Sequence, residues 1–333
     1  MSMDSPDVLV VGAGVCGLSS AITLLDAGLR VVVYAAQPPQ RTTSAVAGAL
    51  WGPHLVGADE RVGRWASATL AWFRDLVAEP AAGVREVSGL AASLHDGTAD
   101  PPEFVLGAGP LARADPAALP PGYASGWTYS APVVTMPAYL DYLLDLLLSK
   151  GGQLRLGLPL ASLTDAERHT AAPVIVNCAG IGARDLVPDP DLIPVRGQVV
   201  VVANPGITEF FVGEREGPDE VTYFFPHGPT VVLGGTQQPG EESTRPDPAT
   251  SERILAHCAR AEPRLAGASV LGHKVGLRPV RPTVRLEVQE IGGGRHIVHN
   301  YGHGGAGVTL SLGCAQTVLQ EVAGLLGHRE TPD

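Results

Sequence analysis

The sequence has only four cysteines, and none of them lies in a familiar cysteine motif. They are Cys16, Cys178, Cys258 and Cys314, with no CxxC pair and no metal-ligand spacing. Cysteines of this kind are typical of small, buried apolar side chains in a reducing compartment. The sequence therefore predicts neither a disulfide nor a bound metal.

Positive charge is scarce as well. Against 34 Asp and Glu there are 23 Lys and Arg, which gives a formal net charge of -11. Nucleic acids and anionic membrane surfaces both attract basic proteins. This balance predicts no nucleic-acid partner and no membrane partner, and it favours a small molecule as the ligand.

Targeting signals and membrane-spanning segments are also missing from the sequence pattern. Asp4 and Asp7 stand where a signal peptide would be positively charged, no apolar run reaches spanning length, and the C-terminal HRETPD differs from a peroxisomal tripeptide. We therefore expect a cytoplasmic protein. With 333 residues and no low-complexity segment, the chain is long enough for two domains or one large α/β unit.

A βαβ unit begins the chain. Residues 8–34, VLVVGAGVCGLSSAITLLDAGLRVVVY, contain a β-branched run, a glycine turn, an apolar helix over about 15–27 and a second strand. Gly12, Gly14 and Gly17 fit the GxGxxG pattern, in which the backbone lets a pyrophosphate approach the positive end of a helix. The pattern predicts dinucleotide binding. No acidic residue follows the second strand, so the ribose must be held in another way.

A second glycine cluster lies near the C-terminus, in HNYGHGGAGVTLSLGCA. Its glycines, between an apolar stretch and an amphipathic run, are Gly302, Gly304, Gly305 and Gly307. Because glycine loses the most conformational freedom on folding, so many in one place indicate a backbone that something must approach closely. We predict a strand, a tight loop and a helix. His299 and His303 have the spacing of a helical metal pair, but a strand end and a loop without a third ligand do not predict a metal site.

The middle of the chain has a different pattern. Over 193–235, VRGQVVVVAN, FFVGE, VTYFFP and TVVLGG are short runs separated by turns, which is typical of an antiparallel sheet. Farther upstream, Trp65, Thr69, Trp72 and Leu76 fall on one face of a predicted helix and indicate a core contact. The pattern predicts a second domain inserted into the nucleotide-binding domain.

Six motifs, taken in order, resemble those of the D-amino-acid oxidase family of flavoproteins, which includes D-aspartate oxidase. They are GAGVCGLSSA, TTSAVAGALW, VIVNCAGIGA, RGQ, GLRPVRPTVRLE and HNYGHGGAGVTLSLGCA, and they cover nearly the whole chain. The resemblance implies an α/β fold, in which an FAD-binding Rossmann-like domain is interleaved with a substrate domain built on a mainly antiparallel sheet. The predicted FAD-binding domain comprises 1–52, 131–190 and 272–333, and the predicted substrate-binding domain comprises 53–130 and 191–271.

The resemblance also implies an activity. It is the FAD-dependent oxidation of neutral or apolar D-amino acids by hydride transfer to the flavin, which gives 2-oxo acids, ammonia and, from dioxygen, hydrogen peroxide. Arg278 matches the family's carboxylate-binding arginine, and its planar fork suits a two-point grip. Tyr223 matches the tyrosine that supports the same carboxylate, and Gly305 matches the glycine whose carbonyl accepts a hydrogen bond from the substrate amine. Catalysis then depends on orientation and needs no general base.

The residues that the resemblance assigns to FAD lie in the glycine motifs and in a loop rich in hydroxyl groups. They are Gly12, Gly14, Val15, Cys16, Gly17, Thr42, Thr43, Ser44, Gly48, Ala49, Leu50, Gly180, Gly302, Gly304, Gly307, Val308 and Thr309. The last helix, which starts near Val308, would direct its positive end at the flavin. Gly52 and His54 are predicted to flank the side-chain pocket, where the small Gly52 is compatible with bulky substrates.

Several alternatives stay open at this point. A D-aspartate oxidase would pair His54 or Arg215 with a second carboxylate, and a glycine oxidase-like amine oxidase has a related fold. Asp219 stands where vertebrate members carry a second tyrosine, so this loop is predicted to be short and acidic. From other classes, an NAD-dependent dehydrogenase or a non-catalytic flavin-binding module would also contain GxGxxG. The D preference comes from the resemblance alone, and a homodimer is an open expectation.

Overall fold

A computed structural model describes residues 5–95, 101, 105–157, 160–168, 170–214 and 220–327. Arg215 and Asp219, which entered the predictions above, lie outside these residues. The helices within them are α1 (Val15–Asp26), α2 (Arg61–Leu76), α3 (Met136–Ser149), α4 (Ala183–Leu186), α5 (Pro248–Ala261) and α6 (Gly307–Leu326). Short 3-10 helices, such as Thr43–Val46, connect several of the elements.

The strands of the same residues form a single mixed sheet. They are β1 (Val8–Val11), β2 (Val31–Ala35), β3 (Val84–Ser93), β4 (Ala112–Arg113), β5 (Ser125–Val134), β6 (Gln153–Leu156), β7 (Val174–Asn177), β8 (Ile193–Ala203), β9 (Phe210–Gly213), β10 (Glu220–His227), β11 (Thr230–Thr236), β12 (Gln238–Pro239), β13 (Val270–Gly292) and β14 (Arg295–His303). Apart from β12, which pairs with β8, their order is β4-β5-β3-β9-β10-β11-β8-β13-β14-β7-β1-β2-β6.

One end of the sheet is parallel and carries the βαβ unit. Strand β1 lies between β2 and β7, and both pairings are parallel. All four residues of β1 are buried, because a parallel strand covered on both faces is apolar along its length. Helix α1 packs against α3 and α6 on this part of the sheet. The predicted βαβ unit and the predicted helix over about 15–27 are confirmed.

The other end of the sheet is mainly antiparallel, as predicted. Strands β8, β9, β10 and β11 pair antiparallel with their neighbours, and β3 pairs parallel with β9. Val200, Phe211 and Leu233 form a core on one side of these strands together with Ile254 of α5. On α2, Trp65, Thr69 and Leu76 are buried and Trp72 is half-buried, which agrees with the predicted core face.

Strand β13 joins the two ends of the sheet. Its first half pairs with β8 and its second half pairs with β14, so the backbone hydrogen bonds run continuously from one part to the other. Two of the predicted domain boundaries, at 131 and 272, fall inside β5 and β13, respectively. At these places one strand belongs to both of the predicted domains. The division into the five predicted ranges stays a prediction.

The C-terminal glycine cluster is less of a loop than the sequence predicts. Strand β14 continues to His303 and therefore includes Gly302, whereas Gly307 is the first residue of α6. His299 and His303 both lie in β14 and accept or donate hydrogen bonds with Gln289 and Asn300, respectively. Among the described residues no group of three side chains could hold a metal ion, and no helix is long and apolar enough to cross a membrane.

Candidate active site

A cavity of about 590 Å³ lies between the residues that precede α2, the start of α6 and one face of the antiparallel strands. It brings together ten residues that were predicted for the site from distant parts of the chain. They are Gly48, Ala49, Leu50, Gly52, His54, Tyr223, Arg278, Gly305, Val308 and Thr309. Much of the remaining wall is apolar, so the cavity suits a flat, largely apolar ligand with a few polar anchors.

Arg278 lies on β13 and reaches across β8 into the cavity. Its guanidinium packs over Gly197, where any Cβ would overlap it, and Nη1 donates to the Thr236 carbonyl oxygen at 2.9 Å. Burial lowers the pKa of Arg278 from its usual value, while the neighbouring Tyr223 hydroxyl acts in the opposite direction. The guanidinium nevertheless stays charged, because arginine is protonated at any physiological pH.

The charge of Arg278 is not balanced within the described part of the chain. Arg281 and Arg285, on the same strand, form ion pairs with Asp189 at 3.1 Å and Glu287 at 2.8 Å, respectively. Arg278 has no carboxylate partner among the residues that the structure describes, and its polar neighbours are Tyr223 and a carbonyl group. An enclosed cation of this kind calls for an anion, which the cavity can admit.

Tyr223 lies on β10 beside Arg278, whose positive charge acts to lower the pKa of the Tyr223 hydroxyl. Its ring is stacked on Phe225, with centroids 4.6 Å apart, and a Cβ at Gly234 would overlap it. Burial raises the pKa of Tyr223, so the hydroxyl is neutral and can donate to an anion. Arg278 and Tyr223 thus present a cation and a hydroxyl donor side by side, a combination that suits an anion.

The opposite wall of the cavity contains Gly305 and His54. A Cβ at Gly305 would stand 2.9 Å from both the ring and the carbonyl oxygen of His54, which explains why glycine occupies this position. The Nε2 atom of His54 lies 2.9 Å from the amide nitrogen of Gln237, which also lines the cavity. Gln237 was not predicted from the sequence, because a glutamine after an apolar strand carries no signal of its own.

The start of α6 faces the cavity without a capping side chain. Neither an N-cap hydrogen bond nor an acidic residue in the first turn neutralises its positive end. Thr309 accepts from the backbone N–H of Gly52 at 3.2 Å and donates to its carbonyl oxygen at 3.1 Å, which fixes Gly52 against the helix. Gly48 and Ala49 also line this part of the cavity. His227 Nε2 lies 3.1 Å from the Gly48 carbonyl oxygen, and Ala49 has a φ of 54°.

The glycine turn before α1 does not line the cavity, but it has the geometry expected of a phosphate cradle. Gly12 has a φ of 109°, and a Cβ there would overlap the carbonyl oxygen of Cys178. Helix α1 has no capping side chain at Gly14 and no acidic residue in its first turn, and Ser44 Oγ accepts from the Val15 N–H at 3.1 Å. Main-chain N–H groups and a hydroxyl at the positive end of a helix suit a pyrophosphate.

The two helix starts are close to each other. Cys16 Sγ lies 3.7 Å from His303 Nδ1 and 3.7 Å from the Gly307 carbonyl oxygen, which joins α1 to the start of α6. One continuous ligand that places a pyrophosphate at α1 and an aromatic ring in the cavity would contact both. The residues present therefore fit FAD.

The remaining residues predicted for FAD do not line the cavity. They are Gly12, Gly14, Val15, Cys16, Gly17, Thr42, Thr43, Ser44, Gly180, Gly302, Gly304 and Gly307. Contacts within the protein explain why glycine occupies positions 302 and 304. Gly302 has a φ of 84°, and a Cβ there would crowd Arg281. Gly304 has a φ of 56°, and a Cβ there would overlap the Leu55 carbonyl oxygen. Their contact with FAD stays a prediction.

Comparison with known proteins agrees with this geometry. A family model described as FAD dependent oxidoreductase matches residues 7–321. The D-amino-acid oxidase of Rubrobacter xylanophilus is 49% identical over 321 residues, which cover 96% of this chain and 95% of that protein. The D-amino-acid oxidase of Streptomyces coelicolor is 42% identical, over 93% of this chain and 94% of that protein.

The fold agrees as well. A crystal structure of glycine oxidase from Geobacillus kaustophilus superposes with a TM-score of 0.81 at 18% identity, over 98% of this chain and 96% of that one. The fold and the site thus define an FAD-dependent oxidoreductase. Within that class, the chain belongs to the D-amino-acid oxidase family.

Proposed function

We propose that the protein oxidises neutral and apolar D-amino acids to 2-oxo acids, with release of ammonia and hydrogen peroxide. The observation that carries the proposal is the enclosed Arg278, which has Tyr223 beside it and no carboxylate partner among the described residues. Identity of 49% to a D-amino-acid oxidase over almost the whole chain supports the same substrate class.

The two helix starts and the residues between them would hold FAD. The main chain at Gly12–Gly14 and the hydroxyl of Ser44 would bind the pyrophosphate, and 48–50 with Val308 and Thr309 would border the ring. When bound, FAD supplies the oxidant that accepts a hydride from the substrate α-carbon and is reoxidised by dioxygen. The uncapped start of α6 would supply positive potential beside the flavin ring, because the first turn of this helix contains no acidic residue.

The chain's own residues would orient the substrate. Arg278 and Tyr223 bind the α-carboxylate, and the Gly305 carbonyl accepts a hydrogen bond from the amine. Two of the four substituents on the α-carbon are then fixed, which is how such a site lowers the barrier by orientation rather than by proton transfer. No histidine has to act as a base in this arrangement.

The apolar wall supports a preference for neutral side chains. Trp51, Ala91, Val212, Val221 and Phe225 border the cavity, and none of them can pair with a second carboxylate. His54, which could do so in a D-aspartate oxidase, instead lies within hydrogen-bond distance of Gln237. Burial of apolar substrate surface against this wall would favour side chains such as those of valine and leucine.

A peroxide assay over matched D- and L-amino acids tests the proposal. With added FAD, the purified protein should be yellow and should produce peroxide from D-valine, D-leucine and D-alanine, but not from the L-enantiomers. Turnover should be faster with these substrates than with D-aspartate. Peroxide from D-aspartate alone, or from glycine alone, would overturn the proposed specificity, and a colourless protein that reduces NAD would overturn the class.

Location and assembly are a separate proposal. We propose a cytoplasmic protein, which the four free thiols support because such groups persist in a reducing compartment. We also propose a homodimer. Burial of two exposed apolar side chains on β13, Val270 and Leu271, would stabilise it. Sedimentation velocity of the FAD-bound protein would detect the dimer.

A further inference from the structure

The cavity-facing side of the antiparallel strands changes from apolar to polar in two adjacent rows. The first row runs across four strands, because Tyr223 pairs with Val212, Val212 with Ala91 and Ala91 with Trp127. Side chains of directly paired residues share one face of a sheet. All four of these residues line the cavity, so this row is an apolar floor that ends in Tyr223.

The second row lies two residues farther along the strands. Side chains two residues apart in a strand point to the same face. The second row therefore consists of Ser93, its pairing partner Ser125, and Glu214, which are each two residues from Ala91, Trp127 and Val212, respectively. These three residues line the same cavity. The second row is therefore polar, and Glu214 is the single acidic residue among the described residues of the cavity wall.

Glu214 is held in place by hydrogen bonds on one side. Its Oε2 atom accepts from the Ser93 hydroxyl at 2.7 Å and from the Leu94 backbone N–H at 2.8 Å. The hydrogen bond from Ser93 is the main cause that lowers the pKa of Glu214, so the carboxylate is ionised. Its Oε1 atom lies 3.6 Å from Nε2 of His95, whose side chain is 79% exposed. This oxygen can therefore accept a further donor from the cavity.

The position of Glu214 relative to Arg278 and Tyr223 sets the length of the ligand that could reach them all. Glu214 is displaced from Tyr223 by one strand spacing and by two residues along the strand. These displacements are about 5 Å and about 7 Å, which combine to roughly 9 Å between the two Cα positions. The Tyr223 hydroxyl itself lies over Gly234 and Gly235 of β11, one strand farther from Glu214 than the Tyr223 Cα. An amino acid with its carboxylate at Arg278 and Tyr223 therefore needs a side chain at least as long as a lysine stem to reach Glu214.

We propose that Glu214 is a specificity-determining residue, which binds the distal cation of long D-amino acid substrates such as D-lysine, D-ornithine and D-arginine. The stem of such a side chain lies along the apolar row, and its ammonium or guanidinium group replaces water at the polar row. The same carboxylate repels D-glutamate and D-aspartate. The inference rests on the proposed oxidase function and adds a second substrate class to it.

Glu214→Gln tests the role of the charge. The glutamine carbonyl can still accept the two hydrogen bonds from Ser93 and Leu94, so the variant preserves the local structure while removing the charge. The measurement is the ratio of kcat/KM for D-lysine to kcat/KM for D-norleucine, whose side chain has similar length without the cation. We expect this ratio to fall about fivefold, the size expected for a partly exposed charge pair.

Glu86→Gln is the matched control. Glu86 lies in β3, as Ser93 does, but it pairs with Arg74 at 3.3 Å and does not line the cavity. The substitution changes the net charge of the protein by the same amount, so it reports any general attraction of a cationic substrate to the acidic chain. The substrate ratio should be the same as in the wild-type protein.

The outcomes separate the two proposals. An unchanged ratio in Glu214→Gln, in a protein that oxidises D-norleucine, would overturn the role of Glu214 and leave the oxidase function standing. The absence of peroxide from every D-amino acid would overturn the oxidase function itself. If Glu214→Gln does not fold, Glu214→Asp withdraws the carboxylate by one methylene and should still lower the ratio at least twofold; an unchanged ratio there would equally contradict the role.

Discussion

At the scale of single residues, the proposed site centres on one cation, Arg278, and on Tyr223 beside it. Arg278 could be predicted because its motif, GLRP, is distinctive within the resemblance, and Tyr223 and Gly305 followed from TYFFP and the glycine cluster. Gln237 and Glu214 could not, because their place in the cavity depends on strand register. A lone Gln or Glu at a strand end is usually a solvated residue.

Arg278→Lys should weaken substrate binding more than any other conservative change in the site. Lysine keeps the charge but loses the planar fork that grips both carboxylate oxygens. We expect kcat/KM for D-valine to fall about 100-fold, mostly through KM, since a hydrogen bond to a charged group contributes roughly 1.5–3 kcal/mol. Steady-state peroxide assays measure kcat and KM, and the flavin absorbance spectrum shows whether the variant still binds FAD.

The control for Arg278→Lys is Arg253→Lys. Arg253 lies on α5 and pairs with Glu220 at 2.7 Å in an exposed position. Its replacement should leave both kinetic constants close to the wild-type values, because exposed ion pairs contribute little. If Arg278→Lys binds D-valine as tightly as the wild-type protein, the two-point grip is not made by this residue.

At the scale of helices and strands, the spacing of apolar residues predicts most elements. The structural role of each glycine could not be predicted in the same way, because it depends on neighbours that are distant in the sequence. Helix α1 ends near its predicted position because Gly28, with a φ of 81°, stops it. The sequence predicts one tight loop for the C-terminal glycines, yet Gly302 is paired in β14 and Gly307 starts α6. Sequence alone could not show that Leu55 and Arg281 approach Gly304 and Gly302 from elsewhere in the chain.

Gly304→Ala should destabilise the turn between β14 and α6. The residue has a φ of 56°, and the added Cβ would overlap the carbonyl oxygen of Leu55, which is backbone and cannot rotate away. We expect a loss of about 2 kcal/mol or more in the free energy of unfolding. Urea denaturation of the FAD-bound protein, with the m-value checked, measures the change.

A glycine in the helix that follows provides the comparison. Gly324 lies in α6 with nothing within 4 Å of the position of a Cβ, so Gly324→Ala should stabilise the protein by roughly 0.5–1 kcal/mol. The two substitutions add the same methyl group and should act in opposite directions. Equal effects would mean that the close approach of Leu55 to Gly304 is not maintained in solution.

At the scale of the whole molecule, one continuous sheet connects the parallel strands to the antiparallel strands. The two patterns in the sequence, parallel and antiparallel, predicted two domains but not the strand that they share. Strand β13 carries Arg278 in its first half and pairs with β14, which leads to the glycine turn, in its second half. Because one strand supports both walls of the cavity, the spacing between Arg278 and Gly305 is fixed by backbone hydrogen bonds.

Acid should destabilise this assembly through buried histidines. His227, His299 and His303 are buried, and burial lowers the pKa of each of them to about 4. In the unfolded chain a histidine has a pKa of about 6.5, so between these values the unfolded state binds more protons than the folded state. Stability should therefore be lost as the pH falls from about 6.5 to about 4, at up to roughly 1.4 kcal/mol per pH unit for each histidine.

His227→Gln measures how much of this acid-induced loss in the free energy of unfolding comes from one histidine. The Gln amide can still donate to the Gly48 carbonyl oxygen, which His227 Nε2 approaches at 3.1 Å, and it does not titrate. The free energy of unfolding, measured by urea denaturation from pH 7 to pH 4.5, should fall less steeply than in the wild-type protein. Paired carboxyl groups such as Asp189, whose pKa is lowered, contribute mainly below about pH 5 and do so equally in both proteins. An equal slope in both proteins would therefore show that His227 is not held neutral by burial.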